Sequence, residues 1–84
     1  MSFTELQIRQ SLTNYLKSEL NQKQVIVTAE TPLIEAGLID SLSIFQLILF
    51  MEVQFSIKIQ PEDISVENFE TINSLNVLVQ SRLS

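Results

Sequence analysis

Apolar side chains recur at steps of three and four residues in three separate stretches of this chain, the spacing of a helix that buries one face. Ile8, Leu12, Tyr15, Leu16 and Leu20 make the first stripe, Ile44, Leu47, Ile48, Met51 and Phe55 the second, and Ile72, Leu75, Leu78, Val79 and Leu83 the third. The one alternating run, Ser56-Ile57-Lys58-Ile59-Gln60, reads as loop rather than sheet. With 84 residues and no cysteine, these helices have to share one small core, and the whole chain, 1–84, is expected to be a single domain.

Local signals set the helix ends. Thr4 followed by Gln7 is a capping box, with Phe3 and Ile8 at the positions of a hydrophobic staple, and Asn21-Gln22-Lys23 closes the first stripe. Asp40 or Ser41 can cap a second helix that runs to Phe55 without glycine or proline. Pro61 suits the first position of a short turn, Val66 to Phe69 fits one further short helix, and Thr71 can cap the last, with Arg82 near its negative end. The expected architecture is all-α, an irregular bundle of three main helices with a minor one before the last.

Between the first two helices lies a long irregular segment, 24–40, in which Val25-Ile26-Val27 can be briefly extended and Thr31-Pro32 starts a turn. Loops of this length in small domains are functional or disordered. Leu33, Ile34, Leu38 and Ile39 predict one that packs onto the core, and Gly37, the sole glycine, marks a backbone conformation other residues resist.

Composition removes several functions. There is no histidine or cysteine, so the commonest general base, the thiolate nucleophile and the usual zinc ligands are all absent. Ten acidic residues oppose five scattered basic ones, for a net charge of −5, the wrong sign for nucleic acid and the right one for basic patches on other proteins. No apolar run reaches the roughly 18 residues of a membrane span and no leader pattern opens the chain, so a cytoplasmic, monomeric protein is expected.

One segment can carry chemistry. Gly37-Leu38-Ile39-Asp40-Ser41-Leu42 puts a serine hydroxyl at the join of loop and helix, where free backbone N–H groups and the helix dipole favour an attached anion such as a phosphodiester. Taken alone, Asp40 and Ser41 are more simply read as helix caps. A hydrolase nucleophile at Ser41 would need an adjacent base that this composition lacks. Along the second helix, Leu42, Leu49, Phe50 and Val53 lie on a face other than the core stripe and are expected to form an exposed patch, with Phe45 between the two faces.

Order and motif together resemble the acyl carrier protein superfamily over nearly the whole chain: an amphipathic helix, a long loop, Asp40-Ser41-Leu42 opening an apolar helix, then a short helix and a final one. The resemblance implies an acyl-carrier-type four-helix bundle. It implies that Ser41 takes phosphopantetheine from coenzyme A, that Asp40 helps a phosphopantetheinyl transferase engage, and that Leu42 joins the partner surface. The chain would then be a carrier and not an enzyme, holding an acyl or aminoacyl thioester for a loading enzyme and a downstream transferase. The pattern is most similar to D-alanyl and other stand-alone aminoacyl carriers, and the second helix has Glu52 alone where fatty-acid carriers bear several acids. The competing reading is a non-covalent adaptor that docks its apolar second helix in a partner's groove.

Overall fold

The computed structural model describes residues 3–19 and 27–83. In that range it is all helical: α1 spans Glu5–Glu19, α2 Ser41–Phe55, α3 Val66–Phe69 and α4 Ile72–Leu83, with a 3-10 turn at Pro61–Asp63. Leu20, the expected stop at Asn21-Gln22-Lys23, and the extended stretch at Val25 and Ile26 lie outside the described residues.

Each helix starts where its cap dictates. The Thr4 N–H donates to Gln7 Oε1 at 2.9 Å while the Gln7 N–H donates to Thr4 Oγ1 at 3.1 Å, the reciprocal pair of a capping box. Thr71 Oγ1 accepts the Ser74 N–H at 3.0 Å, and Ser65 Oγ accepts the Asn68 N–H at 3.2 Å. α2 ends at Ser56, whose left-handed backbone (φ 54) turns the chain out of the helix.

α4 is the hub and touches all three other helices. Its Ile72, Leu75, Leu78 and Val79 meet Ile8, Leu12 and Leu16 of α1 and Leu47, Met51 and Phe55 of α2 in one buried cluster. Tyr15, Ile44, Ile48 and Leu83 flank that cluster and are only partly covered, so the stripes are narrower than the sequence pattern suggests. Buried Asn76 interrupts the apolar face of α4, with its amide donating to the Glu5 carbonyl at 3.2 Å and its oxygen accepting from Gln80 at 2.8 Å.

The long loop belongs to the core. Val27, Leu33, Leu38 and Ile39 are buried, and two backbone bonds tie the loop to the α3–α4 junction: Leu33 N–H to the Glu70 carbonyl at 2.7 Å, and Asn73 N–H to the Ala29 carbonyl at 3.1 Å. Gly37 has φ +73, with nothing within 4 Å of where a Cβ would stand, so it is required by its backbone and not by space. These contacts aim the chain at residue 40.

A second anchor sits at the other end of α2. The buried Asp63 carboxylate receives the Gln60 N–H at 2.9 Å and pairs with Arg82, so Arg82 is held by an ion pair as well as by its place at the end of α4. The Arg82 guanidinium and then the Gln60 N–H hold the Asp63 pKa below its usual value.

Candidate functional site

Ser41 is the first residue of α2 and is exposed. Asp40, in extended backbone, is the N-cap: its Oδ1 accepts the Ser43 N–H at 2.9 Å and its carbonyl accepts the Ile44 N–H at 2.8 Å. Of the two capping residues the sequence allows, Asp40 takes the role and leaves the Ser41 side chain outside the cap. The Ser41 and Leu42 N–H groups are among the first of the helix, which find no acceptor within it. A phosphate ester on Ser41 therefore has room, donors and the positive end of the dipole beside it, and the residues present fit such a group.

From Ser41 an apolar stripe runs down the open face of α2. Leu42, Phe45, Leu49 and Val53 follow at steps of three and four residues and are 66%, 59%, 49% and 82% exposed, values that exclude all four from the core. Phe45 thus joins the exposed face. Phe50 does not, contrary to the expectation from the helical wheel: it is half-buried and stacks on Tyr15 of α1, with centroids 4.2 Å apart and planes at 20°. The wheel shows which residues share a side of α2 but not that α1 covers the edge of that side.

Glu52 is also committed. Its Oε2 accepts the Ile59 N–H at 2.9 Å, which holds the turn after α2 in place. The only acidic side chain of the helix is thereby engaged in structure, and the stripe beside Ser41 is apolar. No local sequence signal marks this bond, because its partners are seven residues apart and belong to different elements.

These features have counterparts in known proteins. A protein of Serratia sp. (strain ATCC 39006) named "Probable acyl carrier protein PigG" is 30% identical over 74 residues, which covers 87% of this chain and 85% of that protein. Residues 10–79 match the family model described as "Phosphopantetheine attachment site". The chain belongs to the acyl carrier protein superfamily. Among solved structures, a chain in one titled "Crystal structure of FAD-dependent dehydrogenase" superposes on the carrier with a TM-score of 0.74 at 29% identity, covering 81% of this chain and 97% of that one.

The carrier bears covalently attached phosphopantetheine, whose thiol holds an acyl group as a thioester. Carriers of this family are generally non-catalytic, and carriage implies a phosphopantetheinyl transferase and partner biosynthetic enzymes. No helix among the described residues is long and apolar enough to cross a membrane.

Proposed function

We propose that Ser41 is the attachment residue and that the chain carries an amino acid or small acyl unit between an adenylating enzyme and a downstream transferase or dehydrogenase. The observation that carries this reading is the placement of an exposed Ser41 hydroxyl at the first position of α2, with Asp40 alone doing the capping. Asp40 keeps the helix end rigid and contributes a negative charge beside the hydroxyl for the transferase to engage. Leu42, Phe45, Leu49 and Val53 form the surface on which partner enzymes seat. With Glu52 bonded to Ile59, this surface recognises partners by apolar contact more than by charge.

A flavin-dependent partner is supported by the matched solved structure. The chain matched there is nearly all covered by 81% of this 84-residue carrier, so it is carrier-sized, in a crystal whose title names an FAD-dependent dehydrogenase. The cargo assignment rests on α2, where Glu52 is the single acid and is bonded to Ile59, unlike the several acids of fatty-acid carriers. We place the carrier in the cytoplasm, where coenzyme A supplies the arm, as a monomeric single domain over 1–84.

The test is loading of the pantetheinylated protein. An adenylating enzyme encoded beside the carrier should transfer its amino acid to the wild type and not to Ser41→Ala. Acceptance of malonyl groups from malonyl coenzyme A alone would overturn the cargo assignment. Full partner binding by unmodified protein, indifferent to Ser41→Ala, would favour the adaptor reading.

A further inference from the structure

A cleft of about 90 Å³ opens between the loop that leads into Ser41 and the facing sides of α1 and α2. Leu16, Leu38 and Ile39, all buried, make its floor. Tyr15, Glu19, Ser43 and Gln46 supply hydroxyl, carboxylate and amide groups, and among the described residues no lysine or arginine lines it. The Tyr15 hydroxyl is pushed above the ordinary phenol range by burial, then by the Glu19 charge and by its hydrogen bond to Glu19, so it stays neutral.

Size and position restrict what can enter. At about 90 Å³ the cleft is well below the roughly 150 Å³ of an apolar cavity that takes one benzene ring, so it has room for only a few non-hydrogen atoms. That excludes a long acyl chain and admits the end of a small amino acid. Ser43 lies about 200° around α2 from Ser41, at roughly 100° per residue, so an arm rooted at Ser41 has to cross the helix end first. The far end of the arm, not its root, is the part that reaches the cleft.

We propose that this cleft receives the ammonium-bearing end of a small aminoacyl group on the arm, its methyl or methylene against Leu38 and Ile39 and its charge toward Glu19, Gln46 and the Ser43 hydroxyl. The inference rests on the reading of Ser41 as attachment residue. It makes the carrier select for cargo with a free amine: a neutral acyl group of equal size leaves the acceptors of the rim unused.

The experiment compares three forms of ¹⁵N-labelled carrier: pantetheinylated, alanyl-loaded and propionyl-loaded. The loaded forms are made from coenzyme A analogues in which an amide replaces the labile thioester. Intact mass confirms occupancy of each sample before its amide spectrum is recorded. The expected result is displacement of the Tyr15, Glu19, Ser43 and Gln46 signals in the alanyl form only, with the propionyl form matching the unloaded arm. In Glu19→Gln, which removes the charge and keeps the size, that displacement should be lost while the melting temperature stays at the wild-type value. Equal displacement by both cargoes, none by either, or persistence in Glu19→Gln overturns the inference while leaving the carrier reading intact. Absence of any mass gain overturns both, and is seen at the first step.

Discussion

Leu47 and Leu49 stand two residues apart on α2, one wholly buried and the other 49% exposed. Truncating each to alanine tests the assignment of faces, because alanine is at least as good a helix former and the change isolates burial. Leu47 sits at 0% exposure within the core cluster, so Leu47→Ala loses its transfer free energy and leaves a cavity, costing about 2–5 kcal/mol. A domain this size has a total stability of about 4–13 kcal/mol, at roughly 0.05–0.15 kcal/mol per residue. Each kcal/mol moves the melting temperature by about 4–8 °C, so Leu47→Ala should melt about 8 °C or more below the wild type, and Leu49→Ala within a few degrees of it. Calorimetry or circular dichroism on both variants decides it. Equal melting temperatures, or the reverse order, would refute this assignment of faces, and the docking surface proposed above would go with it.

Gly37→Ala should lower stability by about 1 kcal/mol through its positive φ alone, since the added Cβ meets nothing; an unchanged urea midpoint contradicts that account. The Asp63 pKa is lowered in the folded state from 3.8, so its stabilising contribution is complete above that value and is lost as pH falls below it toward the folded pKa. Urea midpoints from pH 7 down to pH 2 should therefore drop more steeply for the wild type than for Asp63→Asn, and parallel curves would refute the pairing. Val53→Asp, at an 82% exposed position, should slow loading by partner enzymes while melting like the wild type; loss of activity only in step with loss of stability would return this face to the core.

Much of this molecule is legible in its sequence because its helices are bounded by local chemistry. The Thr4 and Gln7 pair, the Asp40 cap, Pro61 at the head of its turn, the short helix at Val66 and the Thr71 cap all act within a few residues, and each appears where the sequence pattern predicts. Gly37 likewise adopts the positive φ that a lone glycine before the motif suggests. What the sequence does not disclose depends on which elements meet. Phe50 has the same spacing as an exposed residue until Tyr15 of α1 stacks on it. Glu52 reads as a lone surface acid until the turn after α2 brings the Ile59 N–H to it. Asp63 is one acid among several in its stretch of sequence, beside Glu62, Glu67 and Glu70, yet it is buried and paired with Arg82 from nineteen residues further on. The cleft beside Ser43 is likewise built from three elements and has no signature in any one of them.

One hydroxyl, that of Ser41, is proposed to take the arm, and a neighbouring serine supplies the control. Ser43 lies two residues along the same helix, half-buried, with its N–H already given to Asp40. Wild type, Ser41→Ala and Ser43→Ala are incubated with coenzyme A and a promiscuous phosphopantetheinyl transferase, and their intact masses are compared. Wild type and Ser43→Ala should each gain one phosphopantetheine and Ser41→Ala none. A wild type that gains nothing, or a Ser41→Ala variant that gains as much as the wild type, would contradict the account.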